Sequence, residues 1–86
     1  MKIIWDERKR LANLDKHGMN FTDLTERFFD QALVLPAQGK RYRAIGVNIR
    51  GVICVVFAVY GKEAISVISM RLASSSERKA YEENLR

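Results

Sequence analysis

The sequence contains few residues of the kinds that bind metals or form cross-links. It has one cysteine and one histidine among 86 residues, which excludes a disulfide within the chain and a zinc site with paired cysteines. A glycine-rich phosphate loop is missing too, and the carboxylates are scattered along the chain. Cys54 lies in an apolar run and is expected to be a small buried hydrophobic residue. We therefore predict no metal and no cofactor.

Long hydrophobic runs are also missing. The most apolar segment, residues 52–60, has only the length of a strand, whereas a membrane-spanning helix needs about 20 residues. Charged residues from Asp6 to Arg10 interrupt the start of the chain, so the apolar core of a signal peptide is missing. We expect one domain over residues 1–86 that has no membrane segment and stays in the reducing cytoplasm.

The charge of the chain is unbalanced. Fifteen lysines and arginines against ten aspartates and glutamates give a formal net charge of +5. An excess of positive charge favours polyanionic partners such as nucleic acid or an acidic protein. Charge alone does not choose between these two partners.

The first third of the chain reads as a strand followed by two helices. Residues 2–5 form a short apolar run that predicts an edge strand, and Asp6 can cap the helix that follows. Gly18 is a natural end for that helix. A second group of helically spaced apolar residues begins near Thr22 and ends near Asp30.

The pattern of the remaining two thirds of the chain predicts strands followed by a C-terminal helix. Alternating or β-rich segments separated by turn residues predict an antiparallel meander of three to four strands, over residues 33–35, 41–49, 52–59 and 64–71. Ser74 with Glu77 is typical of the start of a helix. The expected fold class is therefore α+β.

The register of this meander depends on its turns. Two-residue turns at Arg50 with Gly51 and at Gly61 with Lys62 would fix the strand pairing. On that register, about three rows of residues separate Arg43 from Arg71. We therefore predict that these two side chains are too far apart to contact one phosphate directly.

Several side chains are suited to reactions of a phosphodiester without a metal. Histidine titrates near neutral pH, so His17 is the candidate proton carrier, with Lys16 beside it. Guanidinium groups match phosphate oxygens, and the chain supplies several in and after its strands, namely Arg41, Arg43, Arg71 and Arg78.

Each candidate also has a structural interpretation. Lys16 and His17 could only satisfy the carbonyl end of a helix, and Arg43 could pair with a carboxylate on a neighbouring strand. Glu77 is suited to the N-terminus of a helix, and Tyr81 to packing with its hydroxyl in water. Both interpretations of each residue stay open from the sequence.

Two spaced motifs resemble those of the BrnT family of toxin ribonucleases. The first motif comprises Trp5, Asp6, Lys9, Asn13, Lys16, His17, Gly18 and Phe21. The second comprises Ile68, Ser69, Arg71, Ala73, Glu77, Arg78 and Tyr81, and Gly46 fits a glycine of the family's middle strand. The resemblance spans nearly the whole chain.

The resemblance implies a RelE-like fold and a toxin of a bacterial type II toxin-antitoxin pair that cleaves RNA. The implied partner is a BrnA-like antitoxin, through which alone operator DNA would be contacted. The resulting hypothesis is a metal-independent endoribonuclease. Arg43 and Arg71 would hold the phosphate, His17 with Lys16 would carry protons, and Glu77 or Tyr81 would assist. The expected further RNA contacts are Arg41, Ser69 and Arg78.

The chain departs from the family pattern at three positions. Lys40 stands where an acid is usual, Ser66 where an arginine is common, and Leu72 where a basic residue is frequent. The last two changes remove cations near the last strand. They keep open a competing hypothesis, in which the chain is a basic module that binds RNA or protein without cutting it.

Overall fold

A mixed sheet of five strands forms the centre of the computed structural model, which describes residues 1–85. In chain order the elements are β1 (Lys2–Trp5), α1 (Glu7–His17), a 3-10 turn (Phe21–Asp23), α2 (Glu26–Gln31), β2 (Leu33–Ala37), β3 (Arg41–Asn48), β4 (Gly51–Tyr60), β5 (Ala64–Leu72) and α3 (Ser75–Asn84). The strand order is β1-β5-β4-β3-β2.

The predicted α+β class is confirmed, but the predicted antiparallel sheet of three to four strands is wrong. β1 joins the sheet and runs parallel to β5, with Trp5 opposite Val67. It docks there because Ile3 and Trp5 pack against the core on one face of the sheet. β2 is the other edge, where Pro36 is tolerated because an edge strand does not need every N–H group in the ladder.

Residue alternation along the strands gives the sheet a core on each face. One face packs under Phe21, Leu24 and Phe28, which come from the segment between α1 and α2 and from α2 itself. The opposite face carries a smaller cluster in which Tyr81 of α3 packs with Ile45 and Cys54. Helices therefore cover both faces of the sheet.

The predicted capping residues are confirmed in α1 and α3 but not in α2. The Asp6 side chain accepts from the Arg8 N–H, and Gly18 closes α1 with φ of 68°. Ser74 and Glu77 form the capping box of α3. α2, however, begins after Thr25, whose hydroxyl accepts from the Phe28 N–H, because the chain around Thr22 forms the 3-10 turn.

The predicted register is wrong at both hairpins. The first turn is Ile49 and Arg50, since Asn48 lies opposite Gly51, and the Asn48 side chain accepts from the Arg50 N–H at 2.7 Å. In the second hairpin Tyr60 lies opposite Ala64, so that three residues form the turn.

β5 also contains a β-bulge. Phe57 pairs with Val67 and Val56 with Ser69, so Ile68 has no partner on β4. One extra residue reverses which face the following side chains occupy. Arg71 therefore lies opposite Cys54, on the face that α3 covers.

The buried side chain of Asn13 attaches α1 to β5. Its Nδ2 donates to the carbonyls of Met70 at 2.9 Å and Met19 at 3.0 Å, and its Oδ1 accepts from the Met70 N–H at 2.9 Å. β1 ends opposite Val67, so the Asn13 amide continues the hydrogen bonding of the β5 edge where β1 has stopped.

We predict that Asn13→Asp lowers the free energy of unfolding by about 3 kcal/mol, because a carboxylate cannot donate to the two buried carbonyls. Urea unfolding monitored by circular dichroism measures this loss. Asp15→Asn is the matched control, since Asp15 is exposed on the same helix. Equal stabilities of the two variants would contradict the assigned role of Asn13.

Candidate active site

Glu77, in the first turn of α3, is the centre of a cluster of charged side chains. Its side chain is 4% exposed and accepts from Arg71 Nη1 at 2.7 Å, Arg71 Nη2 at 3.0 Å and Arg43 Nη1 at 3.0 Å. The Ser74 N–H also donates to it, at 2.9 Å. Two arginines from different strands thus converge on one carboxylate. We call Arg43, Arg71 and Glu77 the arginine cluster.

The strand register brings these arginines together. Arg43, Val56 and Ser69 form one row across three strands, and Ile45, Cys54 and Arg71 form the next. The rows are about 7 Å apart along the strands, and β3 and β5 are about 10 Å apart across the sheet. The long side chains of Arg43 and Arg71 close this gap, because both guanidinium groups bind the Glu77 carboxylate. The prediction that Arg43 and Arg71 lie too far apart to share a phosphate is therefore wrong, because the turns and the bulge shift the pairing.

The arginine cluster keeps a net positive charge. The guanidinium of Arg71 beside Glu77 holds the pKa of that carboxyl well below its usual range, and the Ser74 N–H and Arg43 act in the same direction. The same contact raises the pKa of Arg71. Glu77 is therefore ionised at neutral pH and paired, which suits it to hold the arginines and not to accept a proton.

Cys54 lies beneath the arginine cluster. Its Sγ is 3.4 Å from Glu77 Oε2, and the residue is fully buried. Burial raises the pKa of the thiol to about 11. The thiol therefore stays protonated at neutral pH and is unsuited to act as a nucleophile.

Lys16 and His17 lie in a second group of basic residues at the edge of the sheet. An open cleft of about 200 Å³ between α1 and β5 is lined by Lys9, Ala12, Asn13, Lys16, His17, Ile68 and Ser69. We call this the α1 cleft. The bulge at Ile68 forms its floor, between the end of β1 and the contact of Asn13 with Met70.

Part of the carbonyl end of α1 is hydrogen-bonded by groups other than Lys16 and His17. The Gly18 N–H donates to the Leu14 carbonyl at 2.9 Å. Arg50 from the first hairpin turn donates to the Gly18 carbonyl at 3.0 Å. These bonds weaken the structural interpretation of the Lys16 and His17 pair, whose side chains line the α1 cleft.

Ser69 connects the two groups. It lines the α1 cleft and lies in the same row as Arg43, two strand spacings or about 10 Å away. Arg71 follows it on the same face, two residues along β5. The structure thus places a histidine and lysines on one side of Ser69 and two arginines on the other.

The other predicted site residues lie at different distances from this centre. Arg41 is exposed one row beyond Arg43, opposite Ala58, and Arg78 is exposed on α3. Tyr81 is 8% exposed and belongs to the apolar cluster beneath α3. That packing favours the structural interpretation of Tyr81.

Lys9 and Asn13 were identified from the sequence only as members of a motif, and neither was given a role. Both line the α1 cleft. The signal was available, because Lys9, Asn13 and Lys16 recur at the helical spacing that places residues on one face. Within residues 1–85, the histidine, cysteine and carboxylate side chains form no group of three or more that could hold a metal ion.

No helix within the described residues is both long and apolar enough to cross a membrane.

Comparisons with known proteins match the chain to a family model and to a solved structure. A family model described as "Ribonuclease toxin, BrnT, of type II toxin-antitoxin system" matches residues 5–77. The crystal structure of the Brucella abortus ribonuclease toxin BrnT is similar, with 51% sequence identity and a TM-score of 0.81, over 87% of this chain and 99% of that one. No curated protein sequence matches the chain.

We predict that Glu77→Gln lowers the free energy of unfolding by about 3 kcal/mol at pH 7, because two arginines lose their buried counter-ion. The loss should shrink as the pH falls below the ordinary carboxyl pKa of 4.5. The folded-state pKa of Glu77 is lowered, so its stabilisation is present above the unfolded-state pKa and is lost in acid.

Urea unfolding at pH 7 and pH 3 measures this difference. Glu82→Gln is the matched control, since Glu82 is exposed on the same helix. A Glu77→Gln defect of the same size at both pH values would contradict the ion-pair assignment.

Proposed function

The chain belongs to the BrnT family of ribonuclease toxins of type II toxin-antitoxin systems, and on this basis we propose that it cleaves RNA internally without a metal ion. The observation that carries the proposal is the placement of the arginine cluster and the α1 cleft on either side of Ser69. The arginine cluster supplies fixed positive charge, and the α1 cleft supplies groups that exchange protons.

The arginine cluster is suited to hold the scissile phosphate. Arg43 and Arg71 are 34% and 36% exposed, so each guanidinium keeps a surface that a phosphate can reach. Glu77 fixes their orientation before substrate arrives, which lowers the cost of arranging the site during the reaction. Their combined charge with Glu77 is +1, which suits the additional negative charge of a pentavalent phosphorane.

The α1 cleft is suited to proton transfer. Cleavage next to a ribose requires removal of the 2′-hydroxyl proton and protonation of the leaving 5′-oxygen. His17 is half-buried beside the exposed Lys16, and we assign these exchanges to the two side chains together. Glu77 and Tyr81 act as a positioning residue and a packing residue in this scheme.

The type II system implies an antitoxin partner and an RNA substrate. We propose that the antitoxin is BrnA-like, that the toxin acts in the cytoplasm, and that operator DNA is contacted only through the antitoxin. We also propose that the fold belongs to the RelE-like group. Arg41, Ser69 and Arg78 are the proposed additional RNA contacts.

The second candidate function is a basic module that binds without cutting. It is favoured by the missing cations at Ser66 and Leu72, the second of which is 56% exposed on the last strand. It is also favoured by the pairing of both arginines with Glu77. A binding module would retain RNA affinity and show no cleavage.

We predict that the purified protein cleaves single-stranded RNA in an excess of chelator. His17→Ala and Arg71→Ala should each lower kcat about 100-fold, the usual loss when one transition-state contact is removed. Gel analysis of a labelled RNA measures the rates. Arg8→Ala is the matched control, because the Arg8 side chain is 95% exposed, and it should retain the wild-type rate.

Three results would count against the proposal. Intact RNA after incubation with the wild-type protein would favour the binding module. Cleavage that stops in chelator and returns with a divalent ion would refute metal independence. Wild-type rates in His17→Ala would refute its role as a proton carrier.

We predict that induced expression stops bacterial growth and that co-expression of an antitoxin encoded beside the gene restores it. His17→Ala should be harmless yet still co-purify with that antitoxin, because the substitution removes a reactive group without removing the folded surface. Growth curves and co-purification measure the two properties. Harmless expression of the wild-type protein would contradict the toxin role.

A further inference from the structure

α3 leaves part of its side of the sheet uncovered. The helix covers the part that contains Ile45 and Cys54. Beyond Arg43 the same face continues in two more rows. One contains Arg41, Ala58, Ser66 and Ile4, and the other contains Tyr60, Ala64 and Lys2. We call these two rows the open face.

Tyr60 is the aromatic residue of the open face. Tyr60 is an even number of residues away from Cys54 and Val56 along β4. Because side chains alternate between the two faces of a strand, its side chain is directed to the same side as the arginine cluster. Tyr60 is 66% exposed. Tyr42, by contrast, belongs to the opposite face, where its ring stacks on Phe57 with centroids 5.6 Å apart. Tyr60 is therefore available to stack on a flat partner from outside.

Positive charge surrounds this ring. Lys2 and Arg41 are exposed at the two sides of the open face, and Lys40 and Lys62 are exposed in the adjacent turns. Glu63 in the second hairpin turn is acidic and exposed, and Ala58, Ala64 and Ser66 between the cations are small. A flat surface of small residues with an aromatic ring and flanking cations fits the phosphates and bases of a single strand.

The open face is continuous with the arginine cluster. Val56 lies between Arg43 and Ser69 in the sheet. Tyr60 is four residues further along β4, a distance of about 13 Å. A few nucleotides of an extended strand cover this distance. An RNA whose scissile phosphate lies at Arg43 and Arg71 can therefore reach Tyr60 without leaving the sheet.

We propose that the open face binds the single-stranded RNA that flanks the cleavage point, with one base stacked on Tyr60 and phosphates paired with Lys2 and Arg41. The inference rests on the proposed ribonuclease function and adds a subsite to it. RNA is favoured over an antitoxin segment because the surface is continuous with the phosphate-binding arginines and supplies cations on both sides of the ring.

The test compares a long and a short single-stranded RNA, of about 12 and about 4 nucleotides, within the range that single-strand sites occupy. Tyr60→Ala should weaken binding of the long RNA about 10-fold and leave binding of the short RNA unchanged. Tyr60→Phe should restore binding, since it keeps the ring. Val59→Ala is the matched control, because Val59 is 60% exposed on the opposite face of the same strand.

A second measurement tests the cations. Lys2→Gln should reduce the dependence of log Kd on log salt by about 0.7 for the long RNA, with no change for the short one. Fluorescence anisotropy gives both affinities without requiring cleavage. Unchanged urea midpoints of the variants establish that the fold is intact.

Four results would overturn the inference: an unchanged affinity in Tyr60→Ala, an equal loss for both RNA lengths, failure of Tyr60→Phe to restore binding, or a loss of affinity for the antitoxin with RNA affinity intact. The failure of the proposed function is separable. If the wild type binds RNA with the expected length dependence but never cuts it, the subsite stands and the nuclease proposal fails. If it cuts RNA and Tyr60→Ala changes nothing, only the subsite fails.

Discussion

The Glu77 carboxylate connects more parts of this structure than any other side chain of the site. Arg43 and Arg71 lie in adjacent rows of one sheet face, where their like charges repel each other. A buried carboxylate between them removes that cost, and its own burial is tolerated because three guanidinium N–H groups and the Ser74 N–H donate to it. The same contacts fix the first turn of α3, and α3 in turn places Tyr81 over Ile45 and Cys54. The charged site and the smaller core therefore depend on each other.

Local residue chemistry was enough to predict much of the fold. The caps at Asp6, Gly18 and Ser74 lie where the sequence placed them, because each cap depends on residues that are neighbours in the chain. The strand segments were also recognisable from alternation. The parallel pairing of β1 with β5 was not, since it joins segments from opposite ends of the chain and no short-range pattern reports it.

The site was predicted as residue types but not as geometry. Arg43, Arg71, Glu77, Lys16 and His17 were named from chemistry and resemblance, yet the predicted register separated the two arginines. A three-residue turn at Gly61 and an unpaired Ile68 together shift β5 by two residues relative to β4. Both features depend on which strand register buries the apolar side chains best. That register is determined by the packing of all strands of the sheet together. The residue list was therefore accessible from sequence, while the contacts among its members were not.

The bulge at Ile68 determines the geometry on both sides of Ser69. Before the bulge, Ile65 and Val67 lie on the face that packs under α2, and after it Met70 takes over that role. Without the extra residue, Arg71 would be directed to the opposite face, away from Arg43 and Glu77. The same residue interrupts the β5 edge between the last partner on β1 and the Asn13 amide, and the α1 cleft opens there. One irregular residue thus accounts for the position of the guanidinium of Arg71 and for the opening beside His17, which is why the two groups of the candidate site lie next to each other.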